Sequence, residues 1–242
     1  MAEPYSYITP TIETSDPRMR KALDGWLWLY EACYVIGSEM RAPFASPAPI
    51  PSDLFDALIM TAKALNTWGG RWIVAGGLAM NYHGRDRASD NVRFYVLEKK
   101  ASLTRVLDRL AKNNITPHEI DVPGLSCSNE HWWIPLQYVG ANSSRAEVDL
   151  LAADNEFMEF VHESGRESQI AGTRLRIVGP EALVVMNLQT FRGQDRSDLE
   201  DLFRLKSNLD RDLLSAWVKK FKLEARLAEI ERIIKENPGR RG

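Results

Sequence analysis

Residues 91–96 alternate strictly: Val92, Phe94 and Val96 are apolar, and Asn91, Arg93 and Tyr95 stand between them. A period of two predicts a strand with one face in a core and the other free to carry chemistry. Just upstream, residues 71–75 form a short apolar strand, and Gly76-Gly77 turns it into a helix running to His83. Downstream, residues 131–139 are rich in aromatic and branched side chains. Asn142-Ser143-Ser144 reads as a turn, and residues 146–151 as the partner strand, with Glu147 and Asp149 on one face. These strands constrain the chain to a sheet whose polar face gathers Asn91, Arg93 and Asp149.

The rest reads as helical, with one more strand. Asp16-Pro17 gives an N-cap and a proline at the first helical position, opening a helix to about Met40. Its apolar residues (Leu23, Trp26, Leu27, Leu29, Tyr30, Cys33, Ile36) cover more than one face, so it needs a cover. Pro43, Pro47, Pro49 and Pro51 mark a stiff linker. Ser52-Asp53 caps a helix that ends at Gly69-Gly70, and further helices are expected at 103–113 and 156–163. Residues 114–130, with Pro117, Pro123 and Gly124, read as irregular, and 173–178 as a strand. Pro180 opens a helical remainder at 180–192, 196–207, 210–221 and 223–236. The fold class is α+β. A mixed sheet with flanking helices occupies residues 52–178, behind an N-terminal helical extension and Pro-rich linker over 1–51 and ahead of a C-terminal helical bundle over 179–242.

Composition narrows the function. The formal net charge is −2 over 242 residues, so any nucleic-acid contact has to come from a local patch, and Lys219-Lys220 and Arg240-Arg241 read as solvated surface. Two isolated cysteines, Cys33 and Cys127, make neither a disulfide framework nor a zinc site and suit a reducing cytoplasm. The chain does not start like a signal peptide. Its most apolar run, residues 26–36, contains Glu31 and is shorter than the about 20 residues needed to cross a bilayer, so no membrane association is expected.

Transfer of a nucleotidyl group requires neutralising a highly charged phosphate, which two divalent ions about 4 Å apart do well. Aspartates at i and i+2 of one strand, with a third from a neighbouring strand, hold such ions, and a glycine turn admits the triphosphate. The ordered set Gly76-Gly77, Arg87-Ala88-Ser89, the strand at 91–96, Val148-Asp149-Leu150-Leu151, Pro180-Glu181-Ala182-Leu183 and Asp195-Arg196-Ser197-Asp198 resembles the DNA polymerase β-like nucleotidyltransferase superfamily. Within it, the abortive-infection (AbiE-type) toxin branch of bacterial toxin–antitoxin pairs is most similar. The resemblance spans roughly residues 55–220 and leaves residues 1–50 unexplained. It implies a nucleotidyltransferase-like domain in which Gly76, Gly77, Arg87, Ser89 and Asp198 serve nucleotide binding, while Asn91, Arg93, Asp149 and Asn187 stand at the catalytic positions.

The catalytic set is degenerate. The family's two metal aspartates fall on Asn91 and Arg93, and its helical lysine falls on Asn187; Asp149 alone survives as a metal ligand. Shifting the register to use Asp90 would turn Val92, Phe94 and Val96 out of the core, so Asp90 reads as a loop residue or strand-start cap. A guanidinium about 4 Å from a divalent ion is repelled by roughly 8 kcal/mol at an effective dielectric near 20, and it cannot shed its proton. Arg93 is therefore expected to replace the metal and to fork onto Asp149, with Glu147 as a further partner on the same face.

The expected function is a catalytically inactive nucleotidyltransferase-fold protein that binds a nucleotide, an RNA end such as tRNA, or a protein partner such as a cognate antitoxin, with no resident cofactor. The alternative is an active toxin using Mg²⁺ and a nucleoside triphosphate to modify tRNA or protein, and a third is an oligomerisation module, a homodimer through the N-terminal helix. His83, His118, His131 and His162 show no metal spacing and read as structural or solvent-facing. Trp132-Trp133 could stack bases, though a core ring and a helix-packed ring is the expected arrangement. Asp195, Arg196, Asp198 and Asp201 read as a solvated ion-pair face.

Overall fold

The computed structural model describes residues 51–85, 87–99, 102–117, 126–128, 131–141 and 143–237. The expected N-terminal helix and most of the Pro-rich linker, together with His118 and Arg240-Arg241, lie outside the described residues.

The chain enters through α1 (Ser52–Trp68), whose buried residues include Leu54, Leu58, Ala62 and Leu65, the spacing of one helical face. The helix starts one residue earlier than expected. Pro51 is the N-cap and no side chain caps it; Asp53 instead accepts from the N–H of Leu54 at 2.9 Å. Gly69 stops it in the left-handed region at φ +83°, its N–H bonded to the Leu65 carbonyl at 3.1 Å. Then follow β1 (Trp72–Ala75), α2 (Gly76–Tyr82), β2 (Asn91–Leu97), α3 (Leu103–Ala111), β3 (Ile115–Pro117), β4 (Ser126–Ser128), β5 (His131–Val139), β6 (Arg145–Ala153), α4 (Glu156–Glu163), β7 (Arg166–Ile170) and β8 (Thr173–Ile177). Four helices close the chain: α5 (Pro180–Thr190), α6 (Gly193–Leu205), α7 (Arg211–Lys220) and α8 (Glu224–Glu236).

The strands form one mixed sheet in the order β3-β5-β6-β2-β1-β8-β7, with β4 pairing to β5 off that path. All four residues of β1 are buried near its centre. It runs antiparallel to β2 and parallel to β8, and β2 in turn runs parallel to β6. The mixed sheet and flanking helices expected from the sequence are therefore present. Strands β3, β4 and β7 correct the expectation. Residues 114–130, read as irregular, contribute two short strands annealed to β5, and β7 pairs along β8 at the opposite edge. Pro117 is tolerated in β3 because an edge strand has a side that needs no N–H donor.

One continuous apolar core runs from Leu54 on α1 to Ile230 on α8. The rings of Phe160 on α4 and Trp217 on α7 stack at 4.7 Å, and Phe157 meets Phe221 edge-on at 5.0 Å, fastening the C-terminal helices to the sheet domain. No helix among the described residues is long and apolar enough to cross a membrane.

Candidate functional site: an arginine-filled cleft

Strand β2 displays the expected alternation. Val92, Phe94 and Val96 are fully buried, and Asn91, Arg93 and Tyr95 point the other way. The register with β6 places Asn91 beside Glu147, Arg93 beside Asp149 and Tyr95 beside Leu151. Side chains on the same face of adjacent parallel strands therefore meet with no rearrangement of the backbone.

Asp149 is buried and accepts four hydrogen bonds. Arg93 reaches its Oδ2 with Nη2 at 2.8 Å and Nε at 3.2 Å, and Asn91 Nδ2 donates to the same oxygen at 2.8 Å. Trp133 Nε1 donates to the other oxygen, Oδ1, at 2.9 Å. The expected fork of Arg93 onto Asp149 is present, converging on one oxygen. Glu147 does not join it: its side chain is exposed and makes no ion pair among the described residues.

This arrangement does not fit a divalent ion. Of the three carboxylate positions that the resemblance implies, one carries a carboxylate, and both of its oxygens are already engaged by N–H donors. Among the described residues no group of three or more histidine, cysteine, aspartate or glutamate side chains converges in a way that would hold a metal.

Above this pair lies a cleft of about 300 Å³ between the sheet and the start of the C-terminal helices. Gly76, Gly77, Arg87 and Ser89 line it from one side, Asn91 and Arg93 from the floor, and Asn187 and Arg192 from the far side. Of the candidate residues named from sequence, seven of the nine thus share one cavity; Asp149 lies beneath Arg93, and Asp198 lies behind Arg87. Gly76 sits at φ +68°, and a Cβ there would come within 3.3 Å of Arg93 Cβ, so the turn needs glycine for its backbone and packs closely on the arginine. A Cβ on Gly77 would fall 2.7 Å from Ser89 Oγ. Ser89 donates to the Asn91 carbonyl at 2.8 Å, which fastens the loop to the start of β2. Among the described residues the Asn187 side chain makes one long contact, from Nδ2 to Met80 Sδ at 4.0 Å, and the residue lines the cleft.

The four residues read as a solvated ion-pair face require correction: Asp195 and Asp198 are buried. Asp198 is held by Arg85 and Arg87 from the α2–β2 loop and by Gln194 Nε2 at 3.1 Å; Arg85 also pairs with Asp201 at 2.9 Å. Asp195 forms a capping box with Arg192, accepting from its N–H at 2.8 Å and its Nε at 3.0 Å. Burial pushes the Asp195 carboxyl up, but these hydrogen bonds outweigh it and hold the group below the usual carboxylate range.

Three arginines line the cleft, Arg87, Arg93 and Arg192, each paired with an aspartate. Burial first, then Arg85, with Arg93 and Arg192 adding, lower the pKa of Arg87 from the ordinary arginine value, against the opposing pull of Asp195. Burial raises the pKa of the Tyr95 hydroxyl in the cleft wall, so it stays protonated as a donor.

One of the histidines is structural. His83 is buried, its Nε2 lies 2.7 Å from the Val178 carbonyl, and burial drives its pKa down to about 4. Burial, then Arg176 and Arg71, lower His162 similarly to about 4. Sequence reasoning missed Arg192 and Tyr95, and it expected the second ring of the Trp132-Trp133 pair on a helix, whereas Trp133 faces outward. The signal for Trp133 was present, because Ile134, Leu136 and Tyr138 define the core face of β5 and leave Trp133 on the other.

No family model matches the chain, and no curated protein matches it. Solved structures do. One is an antigenic nucleotidyltransferase-like protein from Paracoccidioides brasiliensis, 14% identical, with a TM-score of 0.45, covering 76% of this chain and 94% of its own. Another is ANT(2'')-Ia in complex with adenylyl-2''-tobramycin, 13% identical, with a TM-score of 0.45, covering 69% of this chain and 98% of its own.

Proposed function

We propose that this chain is a nucleotidyltransferase-fold pseudoenzyme of the toxin-like branch, whose cleft takes the phosphates of a nucleotide without a divalent ion and without transferring the nucleotidyl group. The observation that carries the reading is the Arg93–Asp149 pair at 2.8 Å, with Asn91 and Trp133 on the same carboxylate. A guanidinium stands where a metal-dependent enzyme needs a cation, and it is a planar donor suited to phosphate oxygens. Gly76-Gly77, Arg87 and Arg192 around the same cavity complete a glycine-turned cradle of guanidinium donors. An RNA end or an antitoxin-like protein would present its anionic groups to the same surface.

The test is calorimetric titration of the full chain with adenosine triphosphate in EDTA and again in excess Mg²⁺, alongside incubation with labelled nucleotide and tRNA. Binding in EDTA with no label transferred is the expected result. Label incorporation that requires Mg²⁺ would overturn the reading in favour of an active transferase. The triple variant Asn91→Asp, Arg93→Asp, Asn187→Lys should acquire a Mn²⁺-binding heat that the parent lacks.

A further inference from the structure

The two tryptophans of β5 part company. Trp132 packs against the core, while Trp133, on the opposite face with Pro135 and Gln137, is 42% exposed, which makes it one of the few large apolar side chains among the described residues to reach solvent. An indole in that position usually finds a partner for its N–H and buries its body. Here only the first holds: Nε1 is bonded to the buried Asp149, and the ring remains at the surface.

The same carboxylate pins Arg93, so one buried group fixes both a flat π surface and a guanidinium. The fixing is rigid because β5, β6 and β2 are adjacent in the sheet. Pro135, Asp149 and Arg93 lie side by side across these strands, and Trp133 is two residues along β5 from Pro135. From β5 to β2 is two strand spacings, about 9.5 Å. A phosphate-binding guanidinium on one side and a planar apolar surface on the other, bridged by a sugar and phosphate chain, match the two chemically distinct ends of a mononucleotide.

We propose that Trp133 is the platform on which the base of a nucleoside triphosphate stacks while its phosphates meet Arg93 and Arg192. This rests on the reading that the cleft takes a nucleotide, and adds the part of the ligand that the cleft itself does not grip. Stacking tolerates every base, because each has a π face, so the platform favours nucleotides over bare phosphate without selecting among them.

The experiment compares adenosine triphosphate with inorganic tripolyphosphate in EDTA, for the parent chain and for Trp133→Phe and Trp133→Leu. The parent should bind the nucleotide about tenfold more tightly than tripolyphosphate. Trp133→Leu should erase that preference, and Trp133→Phe, which keeps a ring but loses the N–H, should retain most of it. Tripolyphosphate affinity unchanged in both variants shows that they are folded and the cleft intact. Equal losses in Phe and Leu would assign Trp133 only the task of bonding Asp149 and would overturn the platform, as would a parent chain that binds both ligands alike; in either case the phosphate cradle stands. If the parent binds neither ligand, the cradle falls and the platform with it.

Discussion

Of the three buried aspartates held by arginines among the described residues, Asp149 and Asp198 are held differently. Asp149 lies on the sheet, and the side chain of Arg93 that covers it remains 29% exposed and lines a cleft. Asp198 lies on α6, its side chain only 1% exposed, clasped by Arg85 and Arg87 from the preceding loop. The first pair turns a charge toward solvent; in the second, Arg85, only 10% exposed, fastens the loop that carries Arg87 and Ser89 to the C-terminal helices, while Arg87, 26% exposed, also reaches the cleft. The same ion-pair chemistry makes a binding surface where donors come from a flat sheet and a clasp where they come from a loop against a helix.

The sharpest way to break this contrast is Asp198→Ala. It strips the shared acceptor from Arg87 and from Arg85, which is only 10% exposed and keeps Asp201 alone as an ion-pair partner, and a stability loss of about 3–5 kcal/mol in urea denaturation is expected. A loss no larger than that of Asp149→Ala would erase the distinction. Acid should strike the same clasp next, because the turn leading to Arg85 begins at His83. That histidine's folded pKa of about 4 lies below the ordinary 6.5, so the unfolded chain binds the extra proton between those values. Stability contributed by neutral His83 is then complete above pH 6.5 and declines by roughly 3 kcal/mol as pH falls to 4. Urea midpoints across that range should fall, and His83→Gln should reduce the slope, with His162, lowered similarly, supplying the remainder.

A smaller effect is expected on the sheet side. Asp149→Ala should lose about 1–3 kcal/mol, since Arg93 and Trp133 can turn to solvent. It should also tighten tripolyphosphate binding, because the competing carboxylate is gone; weaker binding would mean that Asp149 orients Arg93 for the ligand. Smallest is Gly76→Ala, which forces an alanine to φ +68° with its Cβ 3.3 Å from Arg93 Cβ. A loss of about 1–2 kcal/mol with a displaced Arg93 is expected, read by denaturation together with tripolyphosphate affinity.

Much of the sheet was legible because its central strands obey simple parity. The alternation in β2 told which residues turn inward, and Asp149 on β6 could be matched to Arg93 by charge alone. The edge strands were hidden for physical reasons. Chain segment 166–170, Arg-Glu-Ser-Gln-Ile, is polar on both faces, with nothing but pairing to β8 to make it a strand, and β3 carries a proline. The clasp was hidden for another reason. Helix α6 looks like a charged, solvated helix from its composition, and only the arrival of Arg85 and Arg87 from 111–113 residues away buries Asp198. Trp133 was misjudged because a tryptophan pair draws attention to size over parity.

The parallel pairing of β2 with β6 also governs when the molecule becomes competent. Arg93 and Asp149 are 56 residues apart in the chain, with α3 and three strands folded between them. Closing so distant a contact is slow, since the entropy of joining its ends is spent before the pair returns anything. During synthesis the cleft therefore cannot exist until β6 has emerged and docked, and a chain cut short of it would carry a bare guanidinium on an unsupported strand.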